Sequence, residues 1–397
     1  MLSVEEHCAT ALSLVTSLAP VTVPLAEALD LTLAADVRAL IDAPSFDNSA
    51  MDGYAVLRAD LVGASAATPV SLPVTGEVAA GGAGDVPLTP RTAMRIMTGA
   101  PIPPGADAVV PVEATDGGVT VVAIMAQPRE HAHIRWQAED VAAGAPVVRE
   151  GQVLGPAQLA AIAAVGWDRV SVRPRPRVAV LTTGDELVSP GETVTRGRIV
   201  DSNQVLLHAA VSRAGGVPVA IARVRDDAEA VVTALEAAQA DLIVTTGGVS
   251  VGAYDVVKAA LASRGVTFVN VAMQPGKPQG LGRLGVTPVV CLPGNPVSVM
   301  VSFEVIVAPM IRKLLGAEAA PVRESATVAR GWTAPEGRTQ FMPVSWVGPG
   351  EVEPASPGGS GSHLVASLAR AEALAVVQAQ VGRVGAGDTV EIMRLEP

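Results

Sequence analysis

Cysteine is almost missing from this 397-residue chain, with only Cys8 and Cys291 present. Two thiols cannot build a disulfide framework or a paired CxxC zinc site, which points to a reducing, cytoplasmic setting. Lysine is nearly as scarce, limited to Lys258, Lys277 and Lys313, and no run of lysine or arginine occurs. With a net charge of −11, the chain lacks the basic footprint of a nucleic-acid binder. The same negative field opposes an anionic ligand, so an anion site has to be built locally. The start, MLSVEEHCATALSLV, places two glutamates where a secretion signal needs positive charge. Long uninterrupted apolar runs are lacking too. The stretch from Pro296 to Leu315 is broken by Glu304 and closes on Arg312 and Lys313, so it reads as a buried helix rather than a membrane span.

Several catalytic signatures are also absent. Gly276-Lys277 is followed by Pro278, which excludes a GxxxxGK[ST] phosphate loop. The five histidines include no HExxH, and no GxSxG elbow occurs, so zinc and covalent catalysis have no signal. A literal GxGxxG at Gly280, Gly282 and Gly285 lies between strand-like pieces and opens no helix, so the dinucleotide reading fails on context.

What is present is a folded composition, 49% hydrophobic and 17% charged, long enough for two to four domains. Strand-like and helix-like segments alternate from about Arg177 to Gly316: RVAVL, a helix over Ser202–Arg213, VPVAIARV, a helix from Asp227 to Gln239, DLIV, a helix from Asp255 to Arg264, VTFVNV, PVVCL and the helix from Pro296. That order predicts a parallel sheet covered on both faces, with ligands outside the carboxyl ends of its strands. The loops at those ends are unusual: TTGDE, RDD, TTGGVSVGAYD, MQPGKP and PGNP. The chain before the RPRPR hinge and after about Pro321 reads as short strands and turns.

Individually these motifs stay open between two readings. Gly247-Gly248 is either a backbone seat for a phosphate oxygen, helped by the helix that follows, or a tight turn with Asp255 as N-cap. FDNSAMDGYAV (Phe46 to Val56) is either a polar Asx turn or a dense site, and MTGAPIPPGADAVV (Met97 to Val110) is either a rigid corner or a ligand platform around Thr98. As a set the carboxylates say more. Asp52, Asp140, Glu186, Asp226 and Asp255 all fall in expected loops, and hard oxygen donors completed by phosphate and water describe a Mg²⁺ site. Lys277, locked in PGKP at a strand end, and Arg135, in HIRWQAED, are the candidate anion contacts.

The ordered set DNSAMDGYAV, MTGAPIPPGADAVV, LTTGDELVSPG, DSN (Asp201 to Asn203), TTGGVSVGAYD, PGKP, LPGNPVS and GSHLVASLARA resembles the molybdopterin molybdenumtransferase family, which includes the bacterial MoeA proteins and the gephyrin E domain. The resemblance spans nearly the whole chain. It implies a multidomain α/β plus β protein: an extended domain (1–26 with 43–54 and 140–173), a β domain (27–42 with 55–139), a molybdopterin-binding α/β domain (174–318) and a C-terminal β-barrel (319–397). It implies a homodimer that joins molybdate to adenylylated molybdopterin, releases AMP and uses Mg²⁺ or a similar divalent cation. The molybdopterin adenylyltransferase and molybdoenzymes are its candidate protein partners, with no role for nucleic acid or membrane. By the matching motifs, the resemblance implies roles for Asp52, Asp140, Glu186 and Lys277 in catalysis and for Asp226 and Asp255 in metal binding. It implies substrate contacts from Thr98, Arg135, Ser202, Gly247, Gly248, Pro293, Pro296 and Ser362. Gln274 stands where many members have lysine, and Glu372 where asparagine is frequent. The competing readings are an adenylyltransferase and a non-enzymatic pterin-binding scaffold.

Overall fold

Residues 1–221, 224, 227–249 and 256–395 are described by the computed structural model. Among them, the site is carried by a six-stranded sheet of β1 (Arg177–Thr182), β2 (Val217–Ala220), β3 (Leu242–Thr246), β4 (Val266–Asn270), β5 (Pro278–Leu284) and β6 (Thr287–Leu292), in the order β2-β1-β3-β6-β5-β4. Alternate residues of the central strands feed two cores. Val178, Val180, Val244 and Val290 pack with the helices Ser202–Arg213 and Pro296–Ser302 on one face. Ala179, Leu181, Ile243 and Cys291 pack with Ala228–Ala237 and Val256–Ala262 on the other. Burial on both faces is why these strands are apolar runs rather than alternating ones. It also makes Cys291 a core residue.

The sheet corrects one expectation. β1, β2, β3 and β6 are parallel, but β5 runs antiparallel to both β6 and β4. β5 contains the GxG of the GxGxxG pattern, and its glycines answer to close approach. A Cβ on Gly282 would lie 2.0 Å from the carbonyl oxygen of Gly265, and one on Gly280 would lie 2.8 Å from the Phe268 ring. With no side chains there, no period-2 pattern announces a strand. β4 remains parallel to β6 through β5, so the loop after it still opens on the same rim.

The helix beginning at Pro296 has three segments, Pro296–Ser302, a π-helical Phe303–Val307 and Ala308–Leu314. Pro309 lacks an N–H and its ring crowds the carbonyl four residues back, that of Val305. The Cys8 thiol donates to that carbonyl at 3.4 Å, and a wider turn relieves the crowding. Glu304, which breaks the apolar run, is buried and pairs with Arg213.

Before the hinge, two units interleave. Thr32–Leu33 and Val21–Pro24 flank Arg169–Arg173, and Val37–Arg38 pairs with Pro146–Val148. Leu33, Val37, Leu154, Ile162 and Val170 share one core. Residues 32–38 therefore group with 146–173, whereas the sequence reading placed 27–42 with 55–139. These two-residue strands are too short to show their partner in sequence. A five-stranded sheet of Ala108–Pro111, Gly53–Val56, Ala93–Ile96, Val70–Val78 and Val121–Ile124 forms the second unit.

The C-terminal region closes on itself. Thr339–Gly348, Glu351–Pro354, Arg323–Val328, Thr389–Arg394 and Ala373–Val377 pair in sequence around a barrel, with Thr339–Gly348 joined back to Ala373–Val377. Closure removes the free strand edges that a small β unit otherwise exposes. The expected α/β domain with β-rich flanks and a terminal β-barrel is what the fold contains.

Candidate active site

Loops at the carboxyl ends of β1, β3 and β6 are stitched to one another. The N–H of Thr183 donates to Thr246 O at 3.2 Å, and Thr246 Oγ1 donates to Pro293 O at 2.9 Å. Asn203 Nδ2 donates to Gly294 O at 2.7 Å. Gly247 and Gly248 have φ of +87° and +70°, and a Cβ on Gly247 would sit 2.6 Å from Thr183 O. Only glycine fits there, so bare backbone forms the floor between the loops.

The resulting cleft has a volume of about 1000 Å³, within the range of small-molecule sites. Its lining includes Glu186, Ser202, Gly247, Gly248, Lys277, Pro293, Pro296 and Ser362, all singled out from the sequence. Lys277 is exposed and has no carboxylate partner among the described residues. Glu186 is exposed as well, its carboxylate close above Gly184. Ser362 works through neighbours: its Oγ accepts from Asn295 Nδ2 at 2.9 Å and its carbonyl accepts from Val297 N at 3.2 Å. The C-terminal region thus satisfies a free donor in the first turn of the Pro296 helix.

Asp201 is buried and fixes the start of the Ser202 helix. Its carboxylate accepts from Gln204 N at 3.0 Å and from Thr182 Oγ1 at 2.5 Å. That bond ties the helix to the end of β1 and puts Ser202 and Asn203 in the cleft wall. Asp201, Asn203, Gln274 and Asn295 were not among the residues expected in the site. The DSN and PGNP motifs contain three of them, but sequence offers no way to separate a cleft-lining amide from a turn residue. Apolar wall comes from Leu187, Ile199, Val200 and Val249.

Four expected residues line no part of this cleft: Asp52, Thr98, Arg135 and Asp140. They gather instead around a second set of loops. Asn48–Ser49 pairs with Ile134–Arg135, Gly99 N donates to Ser49 O at 2.8 Å, and Asp140 N donates to Ala43 O at 3.1 Å. Both the N–H and the Oγ1–H of Thr98 donate to Asp52 Oδ1, each at 2.7 Å. These bonds, the backbone one first, hold the Asp52 carboxyl below its ordinary pKa. Since the ionised carboxylate can only accept, the hydroxyl proton of Thr98 is spent on Asp52. Arg135 is exposed with no ion pair among the described residues, and Asp140 is exposed.

The expected metal ligands Asp226 and Asp255 lie outside the described residues. Among the described residues no group of three or more His, Cys, Asp or Glu side chains is placed to hold a metal ion. Of the two positions that depart from the family pattern, Glu372 is committed within the barrel, where its carboxylate accepts from Trp346 N at 2.9 Å. No helix among the described residues is long and apolar enough to cross a membrane.

Comparison with known proteins identifies the family. The MoeA N-terminal region (domain I and II) matches residues 2–166, a probable molybdopterin binding domain matches 179–313 and the MoeA C-terminal region (domain IV) matches 325–395. Molybdopterin molybdenumtransferase 2 of Mycobacterium tuberculosis is 47% identical over 407 residues, covering 100% of both chains. The molybdopterin molybdenumtransferase of Haemophilus influenzae is 36% identical over 379 residues, covering 93% of this chain and 92% of its own. A crystal structure of a molybdopterin biosynthesis MoeA protein from Pyrococcus horikosii superposes with a TM-score of 0.86 at 31% identity, covering 100% of both chains. The chain belongs to the molybdopterin molybdenumtransferase family.

Proposed function

We propose that this transferase inserts molybdate into adenylylated molybdopterin and releases AMP, forming the molybdenum cofactor. The observation that carries the reading is the convergence of Glu186, Ser202, Gly247, Gly248, Lys277, Pro293, Pro296 and Ser362 on one cleft. Backbone at Gly247 and Gly248 takes the phosphate end of the pterin, where no side chain intervenes. The apolar wall of Ile199, Val200 and Val249 suits the flat heterocycle, and the exposed Lys277 offsets negative charge as the anhydride is cleaved and AMP leaves. That is electrostatic rather than covalent assistance, and no nucleophile is required of the protein.

Mg²⁺ belongs to the same proposal. The described oxygen donors of the cleft include the Glu186 carboxylate and the hydroxyls of Thr183 and Ser202, a hard set that fits Mg²⁺ better than a thiophilic ion. Asp226 follows the β2 segment and Asp255 immediately precedes Val256, which lines the cleft. These two aspartates would hold the ion, whose charge would screen the substrate's anhydride.

The loops bearing Asp52, Thr98, Arg135 and Asp140 act, in this reading, on the cleft of a second copy in a homodimer. Exposed Leu40, Ile41, Phe46 and Trp136 lie in the same segments, and apolar surface of that kind favours association. Arg135 then supplies the cation that meets molybdate.

The test is incubation of the purified protein with adenylylated molybdopterin, molybdate and Mg²⁺. AMP release that depends on all three supports the transferase, and omission of the divalent ion abolishes it. Tight binding without turnover supports a pterin-binding scaffold instead. Formation of adenylylated molybdopterin from ATP and molybdopterin would support the adenylyltransferase.

A further inference from the structure

The loop that carries Lys277 is held from outside its own domain. Met273 and Gln274 run parallel to Thr339 and Gln340 of the barrel, and Thr339 N donates to Ala272 O at 2.9 Å. One residue before that strand, Arg338 Nη1 donates to Gln274 Oε1 at 2.7 Å. A guanidinium has donors only, so the amide oxygen must face it and the amide NH₂ must point elsewhere. Gln274 lines the cleft, three residues from Lys277, and no partner among the described residues takes its Nε2 hydrogens. Arg338 makes no ion pair with any described carboxylate, so its charge polarises the amide without being neutralised. From beneath, buried Gln279 fixes the same loop, donating from Nε2 to Gly276 O and Ser302 Oγ, each at 2.7 Å. The loop backbone leading to Lys277 is therefore held by the scaffold on both sides.

We infer that Arg338 is a positioning residue for anion recognition: through Gln274 Oε1 it turns the Gln274 amide N–H donors into the cleft beside Lys277. Together they form a two-point seat for a pyrophosphate-type group, to which the C-terminal barrel contributes directly. For the substrate that brings this group, the inference rests on the molybdenum-transfer reading.

Calorimetry with inorganic pyrophosphate on the full-length protein tests it. Arg338→Met and Gln274→Leu are each expected to weaken binding roughly three- to tenfold, the net size of one typical hydrogen bond. The double variant binds no more weakly than either single, because both remove the same contact. Arg338→Lys recovers most of the affinity, since an ammonium also presents only donors to Oε1. In AMP-release assays KM rises by the same factor while kcat stays within about twofold, the signature of lost uniform binding. Gln274→Glu keeps a partner for Arg338, so it guards against a folding defect, yet it offers no donor and should bind as poorly as Gln274→Leu.

Wild-type affinity in Arg338→Met or Gln274→Glu overturns the inference. Additive losses in the double variant do so as well, as does a wild-type protein that takes up no pyrophosphate. Pyrophosphate binding that follows this pattern without AMP release leaves the inference standing and sinks the transferase reading. AMP release with unchanged KM and affinity in Arg338→Met does the reverse.

Discussion

His7 illustrates how a single side chain sets the acid limit of the N-terminal helix, Val4–Ser13. It is buried, its Nε2 has no hydrogen-bond partner among the described residues, and burial pushes its pKa down to about 4. An unfolded histidine titrates near 6.5, so between these values the unfolded chain binds more protons and stability rises with pH. The contribution is fully present above about pH 6.5 and is lost as pH falls towards 4, to a total of about 3 kcal/mol. Denaturant unfolding followed from pH 7 to pH 4.5 should show this loss in the wild type. It should shrink in His7→Leu, which needs no partner for Nε2, leaving the share of His208. The carboxylates held low by hydrogen bonds, Asp42, Asp52, Asp116 and Glu324, lose their contribution chiefly below about pH 4, whereas His208, whose pKa burial also lowers, adds its own share in the same window as His7. An unchanged slope in His7→Leu would assign the acid sensitivity elsewhere. In the sequence His7 was one unpaired histidine of five, and nothing marked it as buried. Asp52 stood out because its motif is dense in polar residues, and Thr98 because prolines fix the shape of the loop around it. The bonds between them, from the N–H and the hydroxyl of Thr98 to Asp52, needed the fold.

At the scale of elements, the sequence was most legible where strand and helix alternate and least where side chains are missing. RVAVL, DLIV and PVVCL are strands because both faces are buried, and the unusual loops follow at their ends. β5 escaped because Gly280 and Gly282 carry no pattern, and with it escaped the antiparallel step in the sheet. Those glycines now have a measurable role. Gly282→Ala drives a methyl group against the Gly265 carbonyl, 2.0 Å away in ideal geometry, and β4 and β5 must separate to admit it. The expected cost is roughly 1–3 kcal/mol or more, as for other overpacked sites. Gly285→Ala, where nothing lies within 4 Å but φ is +60°, should cost about 1 kcal/mol from backbone strain alone. Thermal unfolding of the two variants decides the matter. Equal losses would mean that strand conformation, not close approach, keeps glycine in β5. The same comparison explains the short pieces before the hinge, where pairs such as Val37–Arg38 with Pro146–Val148 are too brief to carry periodicity and pair across more than a hundred residues.

For the whole molecule the decisive question is where the second loop cluster acts. The cleft collects Glu186 and Lys277, and Asp52, Thr98, Arg135 and Asp140 stand outside it. No property of a single chain's sequence distinguishes a site completed within one copy from a site shared between two, since motif order is the same in either case. Subunit mixing does distinguish them. Asp52→Asn and Lys277→Met variants, each nearly inactive alone, are unfolded together, refolded at equal concentration and assayed for AMP release. If cleft and loops come from different copies of a C₂ dimer, half of the random dimers are mixed, and each mixed dimer holds one site free of both substitutions. Activity then recovers to about a quarter of the wild-type value. If each chain completes its own site, every site carries one substitution and activity stays at the level of the single variants. A light-scattering mass of one chain would remove the shared-site reading before any assay. A dimer without recovery would retain the association while confining each site to its own copy. Recovery near a quarter, lost again when the mixed partner also carries Arg135→Met, would assign the molybdate-side cation to the partner's loop.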